Sequence, residues 1–168
     1  MTVKKNNAGG IRIRRATLRD LGAMTALLAE LFSLEPDFAI CPDHQARGLR
    51  LLLKAARTGT ANVTVAEDQA SGRVVGMATV QTVISTAEGA PSGWVEDVVV
   101  TASRRGCGIG GRLLAALAAW AERHGVTRLQ LLADRDNRAA LDFYAGHGWQ
   151  HTRMTPLRRP VPLPRNQR

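Results

Sequence analysis

Isoleucines and arginines alternate over 11–16, the pattern of a strand with one buried face. The alternation stops at Thr17, an N-capping residue type, and helical spacing takes over: Met24, Leu27, Leu28, Leu31 and Phe32 share one face, and Pro36 bounds the helix. A second helical pattern comes next, with Asp43 as its expected N-cap and Leu49, Leu52 and Leu53 spaced for burial as far as Gly59. Strands are predicted over 61–67 and 74–84, joined as a hairpin through the turn-forming residues 68–73. Another is predicted over 94–100, whose Val-rich end implies cover on both faces. Leu113, Leu114, Leu117 and Trp120 then mark a helix that stops at Gly125. A short strand over 128–132, a short helix over 137–146 and a last strand over 149–154 complete the pattern, and Pro156, Pro160, Pro162 and Pro164 argue against a helix beyond it. Alternating strands and helices in the second half, after a hairpin-like middle, predict an α/β fold with a mixed sheet and helices on both faces.

The densest signal joins the strand over 94–100 to the helix after it. Thr101-Ala102-Ser103-Arg104-Arg105-Gly106-Cys107-Gly108-Ile109-Gly110-Gly111 places two arginines and four glycines at a helix N-terminus. Glycines let backbone N–H groups turn inward, and the first turn of a helix has unpaired N–H groups at the positive end of its dipole, so the loop suits a pyrophosphate. Gly106, Gly108 and Gly111 also satisfy the GxGxxG spacing of a dinucleotide fold, with Asp134 on the next strand in place of the ribose-binding acid. Against that rival, five residues separate the strand from Gly106, and the motif lies two thirds along the chain instead of opening it. There is no GK[ST], which excludes a P-loop.

At 168 residues and 45% hydrophobic content, the chain suits one domain with a proper core. The formal charge of +9 suggests nucleic acid, but ten of the 23 Lys and Arg residues lie at the ends: Lys4, Lys5, Arg12, Arg14, Arg15, Arg153, Arg158, Arg159, Arg165 and Arg168. That leaves 13 basic residues against all 14 acidic ones between them, a net of −1, so no basic face is expected on the folded body and nucleic acid is not an expected partner. Residues 1–10 and 158–168 are read as basic, flexible termini. Cys41 and Cys107 make neither a disulfide framework nor a metal spacing, and no apolar run reaches membrane-spanning length. We therefore expect a cytoplasmic, metal-free protein that does not enter a membrane.

Two stretches resemble a known family. Arg105-Gly106-Cys107-Gly108-Ile109-Gly110 is similar to the (Gln/Arg)-x-x-Gly-x-(Gly/Ala) signature of the GNAT superfamily of acyl-CoA-dependent N-acyltransferases. Asn137-Arg-Ala-Ala-Leu-Asp-Phe-Tyr-Ala-Gly-His-Gly-Trp resembles that superfamily's second signature, an Asn opening a helix that ends in Phe-Tyr and a Gly-aromatic turn. The resemblance implies a GNAT-like single domain over 11–157, with a mostly antiparallel mixed sheet splayed where the strands ending near Val100 and Leu132 part. Acetyl-CoA is the implied cosubstrate: Val98, Val99 and Val100 would line its pantetheine arm, and Arg105, Gly106, Cys107, Gly108, Ile109, Gly110 and Gly111 its pyrophosphate. Asn137 and Tyr144 would also contact it, although Asn137 equally suits an N-cap.

Acyl transfer to an amine needs a proton acceptor, a polarised thioester carbonyl and a proton for the departing thiolate. Neighbouring strand residues face opposite ways, so Glu96 and Asp97 do not share a side. Glu96, flanked by Trp94 and Val98, is expected to be partly desolvated and is read as the base, with Asp97 or ordered water as alternatives. Family resemblance makes Tyr144, the only tyrosine, the acid: a phenol pKa of about 10 exceeds the roughly 8.5 of a free thiol. The Val98 N–H is the expected carbonyl donor. Cys107 falls at a free position of the signature, which favours direct transfer over a thiol relay. Glu30, Glu35, Asp37 and Asp43 crowd a stretch without Lys or Arg, so a small cationic amine is the expected acceptor. A homodimer is a further expectation. The alternative is a CoA-binding sensor or interaction module of the same fold without turnover.

Overall fold

The computed structural model describes residues 10–35 and 37–161. β1 is Ile11–Arg15, and a single 3-10 turn at Leu18–Asp20 leads into α1, Leu21–Phe32. α2 spans Pro42–Arg57, β2 Ala61–Asp68, β3 Val74–Ser85 and β4 Ala90–Val100. A second 3-10 turn, Ala102–Arg104, precedes α3, Ile109–Arg123; β5 is Leu129–Leu131 and α4 is Arg138–Ala145. The chain forms two compact units, Met1–Leu131 with the sheet and Leu132–Arg168 with α4.

The five strands lie in chain order, antiparallel from β1 to β4 and parallel between β4 and β5. This is the mixed α/β sheet expected from the sequence. It excludes the parallel order that the GxGxxG rival requires, and Asp134 instead accepts the Asp136 N–H within its own turn at 2.9 Å.

Burial explains the order. Val63 and Val65 on β2, Met77 on β3 and Val99 on β4 form one apolar cluster with Met24, Leu27 and Leu28 of α1 and Leu49 of α2. On the opposite face, Leu113 and Leu117 of α3 are fully buried, each contributing about 2 kcal/mol relative to exposure. Gly93 is where β5 docks: a Cβ there would lie 2.5 Å from Leu129 Cδ2 and 3.1 Å from Val80 Cγ2, so the Leu129 side chain packs in the space a larger residue would take.

Three details differ from the sequence reading. Cys41, not Asp43, caps α2, because Pro42 fits the first helical position, where its missing N–H costs nothing. Arg14, on the expected strand but counted with the basic excess of the ends, is instead neutralised on the folded body by two carboxylates, Asp20 at 2.8 Å and Glu67 at 2.6 Å. The strand expected over 149–154 does not form among the described residues. The Trp149 N–H closes the end of α4 by donating to Tyr144 O at 3.1 Å, and the mainly polar residues after it offer no face to bury. Of the expected basic termini, residues 1–9 and 162–168 lie outside the described residues.

Candidate active site

β5 pairs with β4 only at Gly93, Trp94 and Val95, while β4 continues to Val100. Ala78 stands opposite Val98 but Val80 opposite Val95, so β4 carries an extra residue and bulges at Glu96 and Asp97. Beyond the bulge, the Asp97 N–H donates to Thr79 Oγ1 at 3.1 Å and the Thr101 N–H to Val75 O at 2.9 Å, both toward β3. Two-residue alternation turns the N–H and C=O groups of Val98 and Val100 to the opposite edge, which β5 leaves uncovered. An extended amide-bearing arm fits such an edge as an added strand. Val99, by the same alternation, turns its backbone toward β3, and its side chain is in the core.

That edge leads directly into the glycine loop. Gly106 and Gly108 have φ of +72° and +75°, a region that β-carbon sterics make costly for other residues, and Gly108 is the N-cap of α3. A Cβ built on either meets nothing within 4 Å, so open space lies against this backbone. Ile109 anchors the helix start at 2% exposure, which leaves the first N–H groups of α3, including those of Gly110 and Gly111, at its positive end. Cys107 is a free, half-buried thiol. The two arginines separate in role: Arg105 donates from Nε to Val100 O at 2.9 Å beside the open edge, whereas Arg104 pairs with Asp68. The sequence had placed both beside the ligand.

The bulge also decides which carboxylate is buried. Glu96 is exposed and accepts from Trp94 Nε1 at 2.7 Å, while Asp97 is 8% exposed. Partial desolvation, expected at Glu96, falls at Asp97 because the extra residue turns Glu96 outward and sets Asp97 against Thr79. Burial raises the Asp97 carboxyl to about 6; a hydrogen bond from Thr79 Oγ1 opposes the rise, and the nearby charges of Glu96 and Glu35 add to it.

A carboxyl harder to ionise in the native than in the unfolded chain favours folding fully below the ordinary carboxylate range. That advantage is lost as pH rises through about 6. Asp97→Asn is therefore expected to gain about 3 kcal/mol on the wild type between pH 3 and pH 8, from roughly two pKa units at about 1.4 kcal/mol each. Denaturant unfolding across that range checks it; parallel pH profiles for the two proteins would contradict it.

In the second unit, Asn137 caps α4 by accepting the Ala140 N–H at 3.1 Å. Tyr144 is half-buried, with ring centroids 5.2 Å from Phe143 and 5.8 Å from Trp149, so the Phe-Tyr and Gly-aromatic parts of the signature fix its ring. His147 packs against Phe143 and bonds to its carbonyl through Nδ1 at 2.7 Å. Among the described residues, no group of His, Cys, Asp and Glu side chains is arranged to hold a metal, and no helix is long and apolar enough to cross a membrane.

Sequence reasoning missed two residues. Thr79 fixes Asp97 from β3, and nothing in a Val-rich strand marks its hydroxyl as special. Glu30, read with the acidic stretch, instead accepts from Thr101 Oγ1 at 2.8 Å and from the Ala102 N–H at 3.2 Å. That contact spans 71 residues and has no local signal.

The chain belongs to the acetyltransferase (GNAT) family, which it matches over residues 25–149. No curated protein is significantly similar to it in sequence. Among solved structures it resembles a possible acetyltransferase from Clostridium difficile 630, at 18% identity over 91% of this chain and 99% of that one, with a TM-score of 0.78. A transcriptional regulator from Bacillus halodurans C-125 is 26% identical over 90% and 99%, TM-score 0.75. An aminoglycoside acetyltransferase, meta-AAC0020, from an uncultured soil metagenomic sample is 19% identical over 92% and 99%, TM-score 0.73. Membership makes this chain an acyl-CoA-dependent N-acetyltransferase of a family that uses acetyl-CoA.

Proposed function

We propose that the protein transfers the acetyl group of acetyl-CoA directly to a primary amine of a small cationic molecule in the cytoplasm, with residues 11–157 as the working domain. The observation that carries this reading is the uncovered edge of β4 running into a glycine loop that opens onto a helix N-terminus. The residues fit the cosubstrate: the Val98 backbone and the Val100 N–H offer pairing groups for amides, and Gly106 and Gly108 leave room for a pyrophosphate against their N–H groups. Arg105 stands beside that edge to meet phosphate charge.

When bound, acetyl-CoA supplies an activated acyl group. Glu96, open to solvent and oriented by Trp94 Nε1, accepts the amine proton directly or through water. The Val98 N–H donates to the carbonyl oxygen as negative charge gathers there. Tyr144, held by Phe143 and Trp149, gives its proton to the departing sulfur. Direct attack needs no cysteine, which leaves Cys107 in the loop as a lining residue.

A cationic acceptor is supported by Glu35, Asp37 and Asp43 in and after the α1–α2 connection, and by the similarity to an aminoglycoside acetyltransferase. Replacing Glu35 with Gln and Asp37 with Asn together is expected to raise KM for a polyamine or aminoglycoside at low salt and to spare acetyl-CoA affinity. The difference should shrink as screening shortens to about 8 Å at physiological ionic strength. A salt-independent loss would point to a disrupted connection, and an unchanged KM would remove the acceptor from this segment.

A further inference from the structure

Glu30 stands in the last turn of α1, yet its carboxylate is bonded at the far end of β4. Thr101 Oγ1 donates to Oε1 at 2.8 Å and to Oε2 at 3.2 Å, and the Ala102 N–H donates to Oε2 at 3.2 Å. Thr101 is the N-cap of the 3-10 turn Ala102–Arg104, but its own side chain does not cap that turn. The first free N–H of the turn is satisfied from α1 instead. Capping in this way ties the start of the glycine loop to a helix about 70 residues earlier, since the Thr101 backbone is itself fixed to Val75 O at 2.9 Å.

The segment beyond Glu30 gives the tie a consequence. α1 ends two residues later at Phe32, and among the described residues the connection to α2 holds turns at 33–34 and 37 and no helix or strand. Leu34, Phe38 and Ile40 are exposed, and Phe38 is stacked on Phe32 with centroids 5.2 Å apart. The same connection carries Glu35, whose charge adds to the rise of the Asp97 carboxyl. Along the loop, Arg105 and Gly106 come three and four residues after Ala102. Glu30 thus ties the start of a pyrophosphate-shaped loop to the helix turn from which the connection departs.

We propose that Glu30 is a positioning residue that couples the two: occupation of the glycine loop by acetyl-CoA fixes Thr101 and Ala102, and through the Glu30 carboxylate orders the α1–α2 connection. This rests on the acetyl-CoA reading above. The coupling is a binding free energy shared between sites, so removing the link weakens binding as well as ordering.

Hydrogen exchange of the full chain with and without CoA, together with calorimetric titration of acetyl-CoA, tests it. Wild type is expected to gain protection over 31–38 when CoA binds. Glu30→Ala is expected to lose that gain and to bind acetyl-CoA roughly five- to tenfold more weakly, within the usual range of coupling factors. Glu30→Gln, which keeps an acceptor oxygen, restores both, and Thr101→Val, which removes one of the two donors and leaves α1 intact, lies between. A role confined to packing predicts lower thermal stability in Glu30→Ala with no CoA-dependent protection over 31–38 in any variant, and that result overturns the proposal. Retained protection in Thr101→Val and Glu30→Ala overturns it as well. Binding of acetyl-CoA without the effect sinks the coupling alone, whereas wild type that binds no acetyl-CoA sinks the cofactor reading with it.

Discussion

Acetyl-CoA binding is expected to be lost when Gly108 is replaced by valine. Gly108 sits at φ +75° and ψ 2° as the N-cap of α3, with its carbonyl accepting the Arg112 N–H at 3.3 Å. A left-handed conformation costs a residue with a Cβ about 1–2 kcal/mol, and more for a β-branched one. The chain escapes that cost by reshaping the loop, and a valine that stayed in place would project into the space left for phosphate. Both outcomes remove the N–H cradle, so affinity should fall by roughly 10²-fold or more, while Gly108→Ala should show a smaller loss. The core is untouched, since nothing lies within 4 Å of the added Cβ. Thermal shift with acetyl-CoA, NAD and ATP reads the result: wild type is stabilised by acetyl-CoA far more than by the other two, and Gly108→Val by none. Undiminished acetyl-CoA stabilisation in the valine variant would place the ligand elsewhere.

Turnover is expected to drop by roughly 10²-fold or more in Tyr144→Phe, with acetyl-CoA affinity preserved, as when a general acid is removed and shape is kept. The ring contacts with Phe143 and Trp149 involve no hydroxyl, so phenylalanine keeps them. A loss confined to kcat identifies proton donation; a rise in KM for acetyl-CoA with kcat unchanged would assign the hydroxyl to binding. Unaltered kinetics would leave Tyr144 as a packing residue.

The features legible in the sequence are local. The glycine spacing and the Asn137 cap are each written within a few neighbouring residues, and α3 and α4 form where the apolar spacing and the Asn137 cap place them. The bulge in β4 has no such signature. It depends on how β3 and β4 register over many residues, yet it turns Glu96 to solvent and buries Asp97, reversing the expectation of which acid is desolvated. Arg104 illustrates the same limit: composition marks it as a phosphate partner, and only the fold shows that Asp68 on β2 holds it. Glu30 and Thr101 are farther apart still, and charge counting assigned Glu30 to the acceptor side. The strand expected over 149–154 rested on a single aromatic start without alternation to sustain it.

Release of CoA thiol from acetyl-CoA, measured with a panel of polyamines, aminoglycosides, amino sugars and amino acids, separates turnover from binding alone. Amine-dependent release that favours cationic acceptors and is suppressed in Tyr144→Phe is the expected result. Acetyl-CoA that stabilises the protein but yields no thiol with any amine would contradict acetyl transfer, in favour of a module of this fold that binds CoA without turnover.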